Sequence, residues 1–201
     1  MKKTNKGFSL VELIIVIAIM AILAGAIAPA LIRYIDKSRR SNDVTAAKTI
    51  KTAVETALGS ENIYEYLTTA TTDATILVVP SVKPTTDGDA AAKYTDAIKI
   101  NAAGGTKSQF PEGTDADAVT AKEIATNIGE TMPKCKYKKN AKDKKKEDIP
   151  QAFAVKISKQ GSVEVYVVCG TTAPTAAPAA DKLVEGDACF QLTPTLSQYY
   201  Q

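Results

Sequence analysis

The chain of 201 residues contains no histidine, no tryptophan and only three cysteines. Without histidine, catalysis by Ser-His-Asp or Cys-His groups, histidine metal ligands and histidine proton shuttles are excluded. Cys135, Cys169 and Cys189 show no CxxC spacing, so neither a dithiol redox motif nor a zinc knuckle is indicated. The sequence also lacks a P-loop, a dinucleotide-binding glycine pattern and an HExxH motif. An enzyme is therefore the least favoured class of protein, and no catalytic residue, cofactor or metal is predicted.

Charge is balanced along almost the whole chain. Lysine and arginine number 25 against 22 acidic residues, but Lys2, Lys3 and Lys6 all precede Gly7. Residues 8–201 therefore carry 22 charges of each sign. The net positive charge belongs to the first seven residues, so it does not indicate that the protein as a whole binds an anionic partner.

A long apolar run follows these lysines. The 20 residues from Leu13 to Ile32 carry no charge, and as a helix they would span roughly 30 Å, the hydrocarbon thickness of a bilayer. Glu12 stands at the start of the run, where membrane insertion of a carboxylate costs about 2.5–3.5 kcal/mol. A secretory signal peptide is the competing interpretation, with A-x-A cleavage sites at residues 24–26 and 26–28. Glu12, the length of the run and the helical pattern beyond it weigh against that interpretation.

The helical pattern continues past the apolar run. From Tyr34 and Ile35 to Leu58, apolar residues recur mostly at steps of three and four, with charged residues elsewhere on the helix. This spacing predicts one helix from Phe8 to Leu58, followed by Gly59 as a C-terminal stop. The second half of that helix has an apolar stripe that requires a cover.

Pro29 lies inside this predicted helix. Proline removes one backbone hydrogen bond and crowds the carbonyl four residues earlier, which here belongs to Gly25. We therefore expect a bend or local melting at Gly25 and Pro29, but no end to the helix.

The stretch KGFSLVELIIVIAIMAILAGAIAP, residues 6–29, resembles the N-termini of type IV pilins and of the pseudopilins of type II secretion and competence systems. The shared features are a lysine-rich leader ending in Gly7, Phe8 as the first mature residue, Glu12 four residues later, and an apolar helix. The resemblance covers the leader and the long helix only. It implies a leader of residues 1–7, a transmembrane and filament-core helix of residues 8–32, and a globular head of residues 33–201 that includes the amphipathic half of the helix.

The resemblance also implies processing and assembly. A membrane-embedded prepilin peptidase would cut between Gly7 and Phe8 and methylate the new amine of Phe8. Gly7 suits such a cut because a residue without a side chain allows close approach to its carbonyl. Phe8 and Glu12 share one helix face at i and i+4, so Glu12 is predicted to neutralise this amine, its own or a neighbour's, and to set the assembly register. A glutamate that merely reaches water from a helix end is the alternative.

The function that follows is a structural subunit of a type IV pilus-like filament. Its partners would be the prepilin peptidase, copies of itself and other pilins in a helical filament, the pilus assembly machinery, and membrane lipid before assembly. The precursor would be a single-pass protein of the cytoplasmic membrane, and the mature subunit would join an extracellular filament. The alternatives are a pseudopilin of a secretion or competence system and, less favoured, a membrane-anchored or secreted binding module. The motif is shared by filaments for adhesion, motility, DNA uptake and secretion.

Residues 60–201 contain short apolar segments. Strands are predicted at 75–79 and 96–100, and an Asp-rich start with helical spacing predicts a helix over 114–129. Residues 151–170 alternate in polarity around a turn containing Gly161, which predicts an antiparallel hairpin. The predicted class is α+β: a long N-terminal helix packed against a small antiparallel sheet, with a C-terminal loop region.

The three cysteines leave several pairings open. Cys169 and Cys189 flank a Pro- and Ala-rich excursion, and this arrangement resembles the C-terminal disulfide loop of many pilins. A Cys169–Cys189 disulfide, stable outside the cytoplasm, would tether the loop to the hairpin. Cys135 is then left over, although pairing that involves Cys135 is an alternative, and a zinc site of three thiolates and a carboxylate is a less favoured one.

A lysine-rich run extends from Lys134 to Asp148 and holds eight lysines against three acids. One interpretation is a patch that binds DNA or another polyanion, with Tyr137 stacking on a base. A solvated loop between helix and hairpin is favoured instead, because the run lacks arginine and has a single aromatic residue. A nucleic-acid partner is therefore not favoured.

Overall fold

The computed structural model describes residues 9–80, 91–129, 131–138, 149–186 and 189–200. The chain divides into two compact units, residues 1–38 and residues 39–201. In the first unit the described residues belong almost entirely to the first part of helix α1 (Leu10–Ala57). Among its described residues, the second unit holds the rest of α1, three further α-helices, two short 3-10 helices and a five-stranded sheet.

Helix α1 agrees closely with the predicted helix from Phe8 to Leu58. It is 48 residues long and continues through Pro29 without a break in its helical assignment. At its C-terminal end the amide of Gly59 donates to the carbonyl of Thr56 at 3.1 Å, which closes the last turn in the tighter i→i+3 pattern. The prediction that Gly59 ends the helix is confirmed.

The buried stripe of α1 begins later than predicted. Tyr34 is 72% exposed and Ile35 39% exposed, and the first buried position is Asp43. From there the buried residues recur at helical spacing: Asp43, Ala47, Ile50, Ala53, Val54 and Ala57. Within the second unit, only the last turns of α1, from Asp43 to Ala57, have buried residues. Asp43 stands at the N-terminal end of this buried stripe.

One antiparallel sheet covers that stripe. Its strands are β1 (Ala74–Val78), β2 (Ile98–Asn101), β3 (Pro150–Ile157), β4 (Val163–Cys169) and β5 (Cys189–Thr193). They lie in the order β2-β1-β3-β4-β5, and every neighbouring pair is antiparallel. The predicted α+β fold is confirmed, and both predicted strand regions, 75–79 and 96–100, contain strands.

The predicted hairpin is β3 and β4. Phe153 pairs with Val167, Val155 with Val165, and Ile157 with Val163. These side chains are buried in one core cluster with Ala47, Ile50, Val54 and Ala57 of α1. Because side chains alternate between faces along a strand, this inner face of the sheet is the one that packs on α1.

The opposite, outer face of the sheet is also covered. Leu183 is buried there with Ala154, Tyr166 and Cys189 in a second, smaller cluster. The hydroxyl of Thr75 in β1 donates to the carbonyl of Pro178, which lies in the segment between β4 and β5, at 2.5 Å. The Pro- and Ala-rich excursion after β4 therefore lies on the sheet, which explains why all five residues of β1 are buried.

Three shorter α-helices are described in the second unit. Helix α4 (Ala116–Ile128) matches the predicted helix, and Asp115 caps it by accepting the amide of Asp117 at 3.0 Å. Helices α2 (Glu61–Thr68) and α3 (Ala91–Ala97) were not predicted. The Tyr66 hydroxyl donates to Asp117 at 2.6 Å, which ties α2 to α4.

Candidate functional site

The first part of α1 exposes an apolar surface. Leu10, Met20 and Ile22 are each more than 60% exposed. The leucines, isoleucines and valines between them are also exposed. Among the helices of the described residues, α1 is long enough and apolar enough to cross a membrane. A signal sequence can also meet these two criteria. A contiguous apolar surface of this size requires lipid or other apolar helices to cover it.

Glu12 has a local partner that sequence reasoning missed. Its Oε2 accepts the backbone N–H of Ser9 at 2.9 Å. Ser9 precedes the first helical residue, Leu10, so Glu12 stands at the third helical position and forms this half of a capping box. The signal was visible as the S-x-x-E spacing of SLVE. Glu12 thus satisfies an N-terminal amide of its own helix and retains acceptor capacity on its carboxylate.

The cleavage site lies outside the described residues. Gly7 and Phe8 precede residue 9, where the description begins. Their predicted roles in cleavage and methylation, and the pairing of the Phe8 amine with Glu12, remain predictions. The bend at Gly25 and Pro29 also remains a prediction; the structure shows that α1 stays helical there and that a Cβ on Gly25 would meet no atom within 4 Å.

The Asp43 carboxylate accepts three hydrogen bonds within the second unit. It is fully buried. Its carboxylate accepts the backbone N–H of Lys136 at 2.6 Å, the N–H of Tyr137 at 3.0 Å and the hydroxyl of Tyr200 at 2.5 Å. Burial, followed by the charge of Asp43, raises the pKa of Tyr200 far above its ordinary value, so Tyr200 remains a donor. One carboxylate therefore joins α1 to two segments that are distant in sequence.

Tyr137 belongs to the same cluster. It is buried, its hydroxyl accepts from Arg40 Nη2 at 2.8 Å, and the Arg40 guanidinium lies 4.5 Å from its ring centroid. Its ring also meets that of Tyr200 edge-on, with centroids 5.8 Å apart. Tyr137 is thus engaged within the core, so the idea that it stacks on a nucleic-acid base is wrong. The predicted lysine loop lies mainly at 139–148, outside the described residues.

All three cysteines are buried and none forms a disulfide in the structure, so the expected Cys169–Cys189 bridge is not seen. In the β4–β5 register Cys189 lies opposite Val168. Because neighbouring strand residues point to opposite faces, Cys169 faces the inner cluster and Cys189 the outer one. Side chains that point apart are bridged only if the backbone moves, so this register opposes the expected pairing.

The same division bears on a zinc site. Three thiolates do not converge, because Cys189 is on the far face of the sheet from Cys135 and Cys169. Within the described ranges, no three acidic or cysteine side chains form a metal-binding group.

Comparison with known proteins identifies the N-terminal segment. Residues 2–28 match the prokaryotic N-terminal methylation motif. The chain carries a prepilin-type methylation motif and shares a homologous segment with type IV fimbrial proteins. It is 43% identical over 58 residues to type IV major fimbrial protein FimA of Dichelobacter nodosus, which is 29% of this chain and 37% of that protein.

A second relative gives the same result. Fimbrial protein Q of Moraxella bovis is 51% identical over 54 residues, 27% of this chain and 34% of that protein. The chain thus spans little more than a third of the length of these fimbrial relatives. No solved structure matches the chain. In these two relatives the similarity covers 58 and 54 residues, and the second unit is described by its own geometry.

Proposed function

We propose that this chain is a prepilin, the precursor of a structural subunit of a type IV pilus-like filament, and that it is not an enzyme. The observation that carries the proposal is the methylation motif at residues 2–28, placed directly on an apolar, exposed helix. The fimbrial relatives favour a pilin over a pseudopilin. The subunit would be cleaved after Gly7, methylated at Phe8 and polymerised through the first part of α1.

The apolar surface of α1 would be covered first by lipid and later by other copies of the helix. Before assembly, lipid covers it, and the uncharged residues 13–32 match the thickness of the bilayer. In the filament, other copies of the same helix replace the lipid. This exchange has little hydrophobic driving force, since lipid tails are as apolar as leucine. Polar groups at the helix end are therefore well placed to determine how neighbouring helices align.

Glu12 is the polar group available for this role. Cleavage after Gly7 creates a cationic amine on Phe8, one helical turn before Glu12. Packing apolar helices side by side removes both charges from water, and an isolated buried charge costs several kcal/mol more than a paired one. The Glu12 carboxylate would therefore neutralise an amine, and pairing between subunits would fix their axial stagger.

The contact between Glu12 and Ser9 sharpens the test, because capping alone could explain a glutamate at this position. Glu12→Gln keeps an acceptor oxygen for the Ser9 amide and loses the charge. If charge neutralisation is the role, Glu12→Gln and Glu12→Ala both fail to form filaments, and Glu12→Asp, with its shorter reach, assembles poorly. Membrane insertion and cleavage continue in all three variants, because Glu12→Gln and Glu12→Ala remove the cost of inserting a carboxylate and Glu12→Asp leaves that cost unchanged.

The measurement is the yield of sheared filaments, alongside the mass of the membrane-bound subunit. The mature protein is expected to begin at Phe8 and to carry one added methyl group. Abundant filaments from Glu12→Gln, with none from Glu12→Ala, would assign Glu12 to capping alone. A mature protein that begins near Ala28 would instead indicate ordinary signal cleavage and would refute the prepilin assignment itself.

A further inference from the structure

Cys135 and Cys169 both lie in the inner core. Both are buried, with exposures of 1% and 6%, and both belong to the cluster that joins α1 to the sheet. Cys169 is the last residue of β4, where it pairs with Pro150 at the start of β3. Cys135 lies in the segment 131–138, which has neither helix nor strand.

Hydrogen bonds hold that segment beside the end of β4. Lys138 Nζ donates to the carbonyl of Pro150 at 3.0 Å, and Pro150 is the strand partner of Cys169. On the other side of Cys135, the next two backbone amides donate to Asp43 of α1. Cys135 is therefore fixed between α1 and the strand end that carries Cys169.

The electrostatics agree with this placement. Burial contributes most to a raised pKa of the Cys135 thiol, the Asp43 carboxylate comes next, and interaction with Cys169 adds to the effect. Both thiols also act on the Tyr200 phenol, after burial and Asp43. Cys189 acts instead on Tyr166, on the outer face of the sheet.

We propose that Cys135 and Cys169 are the two thiols that oxidation joins, as a disulfide that tethers the segment before β3 to the end of β4. Such a bond would close a loop of roughly 35 residues and restrict the unfolded chain accordingly. The proposal relies on the proposed function only for its setting, because an exported subunit folds where disulfides persist.

The reaction requires an oxidant, which would be the disulfide of a thiol oxidase or oxidised glutathione. The thiolate of one cysteine attacks that disulfide, forms a mixed disulfide and releases one thiol of the oxidant. The thiolate of the other cysteine then attacks the protein sulfur of the mixed disulfide, forms the Cys135–Cys169 bond and releases the second thiol. The two cysteines lose two electrons to the oxidant, and the protons that they give up end on its two released thiols.

Burial sets the timing of this reaction. The thiolate is the nucleophile, and burial with a raised pKa suppresses the Cys135 thiolate in the folded protein. Oxidation should therefore occur while the chain folds, and the reduced folded protein should react slowly. The bridged protein should likewise be slow to accept electrons from external thiols.

The test is disulfide mapping of the purified full-length chain. The protein, kept in detergent, is unfolded under reducing conditions and refolded in oxidised and reduced glutathione. The protein is then unfolded at acidic pH in denaturant, free thiols are blocked there with N-ethylmaleimide, and peptides are mapped by mass spectrometry without reduction. The expected result is one linked pair containing Cys135 and Cys169, with Cys189 alkylated.

Cys189→Ser is the matched control. The parent and Cys189→Ser should both form the Cys135–Cys169 link, and oxidation should raise the Tm of both by roughly 10 °C. Oxidation should not raise the Tm of Cys135→Ser. A Cys169–Cys189 link in the parent, or no link in refolded Cys189→Ser, would overturn the proposal. Because refolding in glutathione involves neither export nor filaments, these outcomes are independent of whether the prepilin assignment is correct.

Discussion

Replacing Asp43 should destabilise the second unit more than any exposed substitution, because three donors depend on one buried carboxylate. Asp43→Ala would leave the amides of Lys136 and Tyr137 and the hydroxyl of Tyr200 without their acceptor. A buried donor left unsatisfied costs about 1–3 kcal/mol. Since Lys136 is an exposed residue, we count the loss at its amide only in part and expect a total loss of about 3–5 kcal/mol in the free energy of unfolding.

Two further variants separate the carboxylate from its volume and its partners. Asp43→Asn preserves shape but places an amide donor among three donors, so its loss should approach that of Asp43→Ala. Tyr200→Phe removes only one hydrogen bond to a charged acceptor and should cost about 1.5–3 kcal/mol. Tyr166→Phe is the matched control, because its hydroxyl meets Glu164 at 3.1 Å in a partly exposed site, and it should cost less than about 1 kcal/mol.

The assay is urea unfolding of the full-length chain in detergent, followed by tyrosine fluorescence, since the protein has eight tyrosines and no tryptophan. The double variant Asp43→Ala with Tyr200→Phe should be less destabilised than the sum of the single variants, because both remove the same hydrogen bond. Additive losses, or an Asp43→Asn protein within about 0.5 kcal/mol of the parent, would show that the carboxylate does not organise this cluster.

Three other predictions concern titration, processing and the lysine run. Above about pH 10 tyrosine ionises in the unfolded chain, whereas the raised pKa of Tyr200 keeps this residue neutral in the folded protein, so the free energy of unfolding falls as the pH rises. The difference in unfolding free energy between the parent and Tyr200→Phe should therefore shrink by up to about 1.4 kcal/mol per pH unit. A difference that stays constant with pH would contradict this. Gly7→Val should leave uncut precursor in the membrane fraction, and mature protein beginning at Phe8 would refute the assigned cleavage site. Changing residues 144–146 from lysine to glutamine should leave filament yield unchanged, whereas loss of a salt-dependent DNA affinity would revive the nucleic-acid interpretation.

The parts of the fold that sequence predicted are those set by local periodicity. The alternation of Phe153, Val155 and Ile157 located β3, and helical spacing located α4 and the end of α1. Strand β5 was missed because it is only five residues long and follows a Pro- and Ala-rich segment without periodicity. Without β5 there was no β4–β5 register, and hence no means of seeing that Cys169 and Cys189 face opposite sides of the sheet.

Asp43 was missed for a different reason. On the helix it is one charged residue beside an apolar stripe, and such a residue is ordinarily solvated. Its partners lie 93, 94 and 157 positions away, so no local pattern connects them. By contrast, the Ser9–Glu12 contact was within reach of sequence reasoning, since the S-x-x-E spacing of a capping box was present.

The cover on the outer face of the sheet bears on how this surface can change. Thr75 of the sheet donates a hydrogen bond to the backbone carbonyl of Pro178 in this cover, and any residue at position 178 would supply that carbonyl. Leu183 of the cover is buried against the outer face of the sheet. The other described side chains from Thr171 to Lys182 are at least partly open to solvent. Substitutions there should accumulate at little cost to folding, so the segment can diversify in chemical character while the sheet beneath it keeps its register.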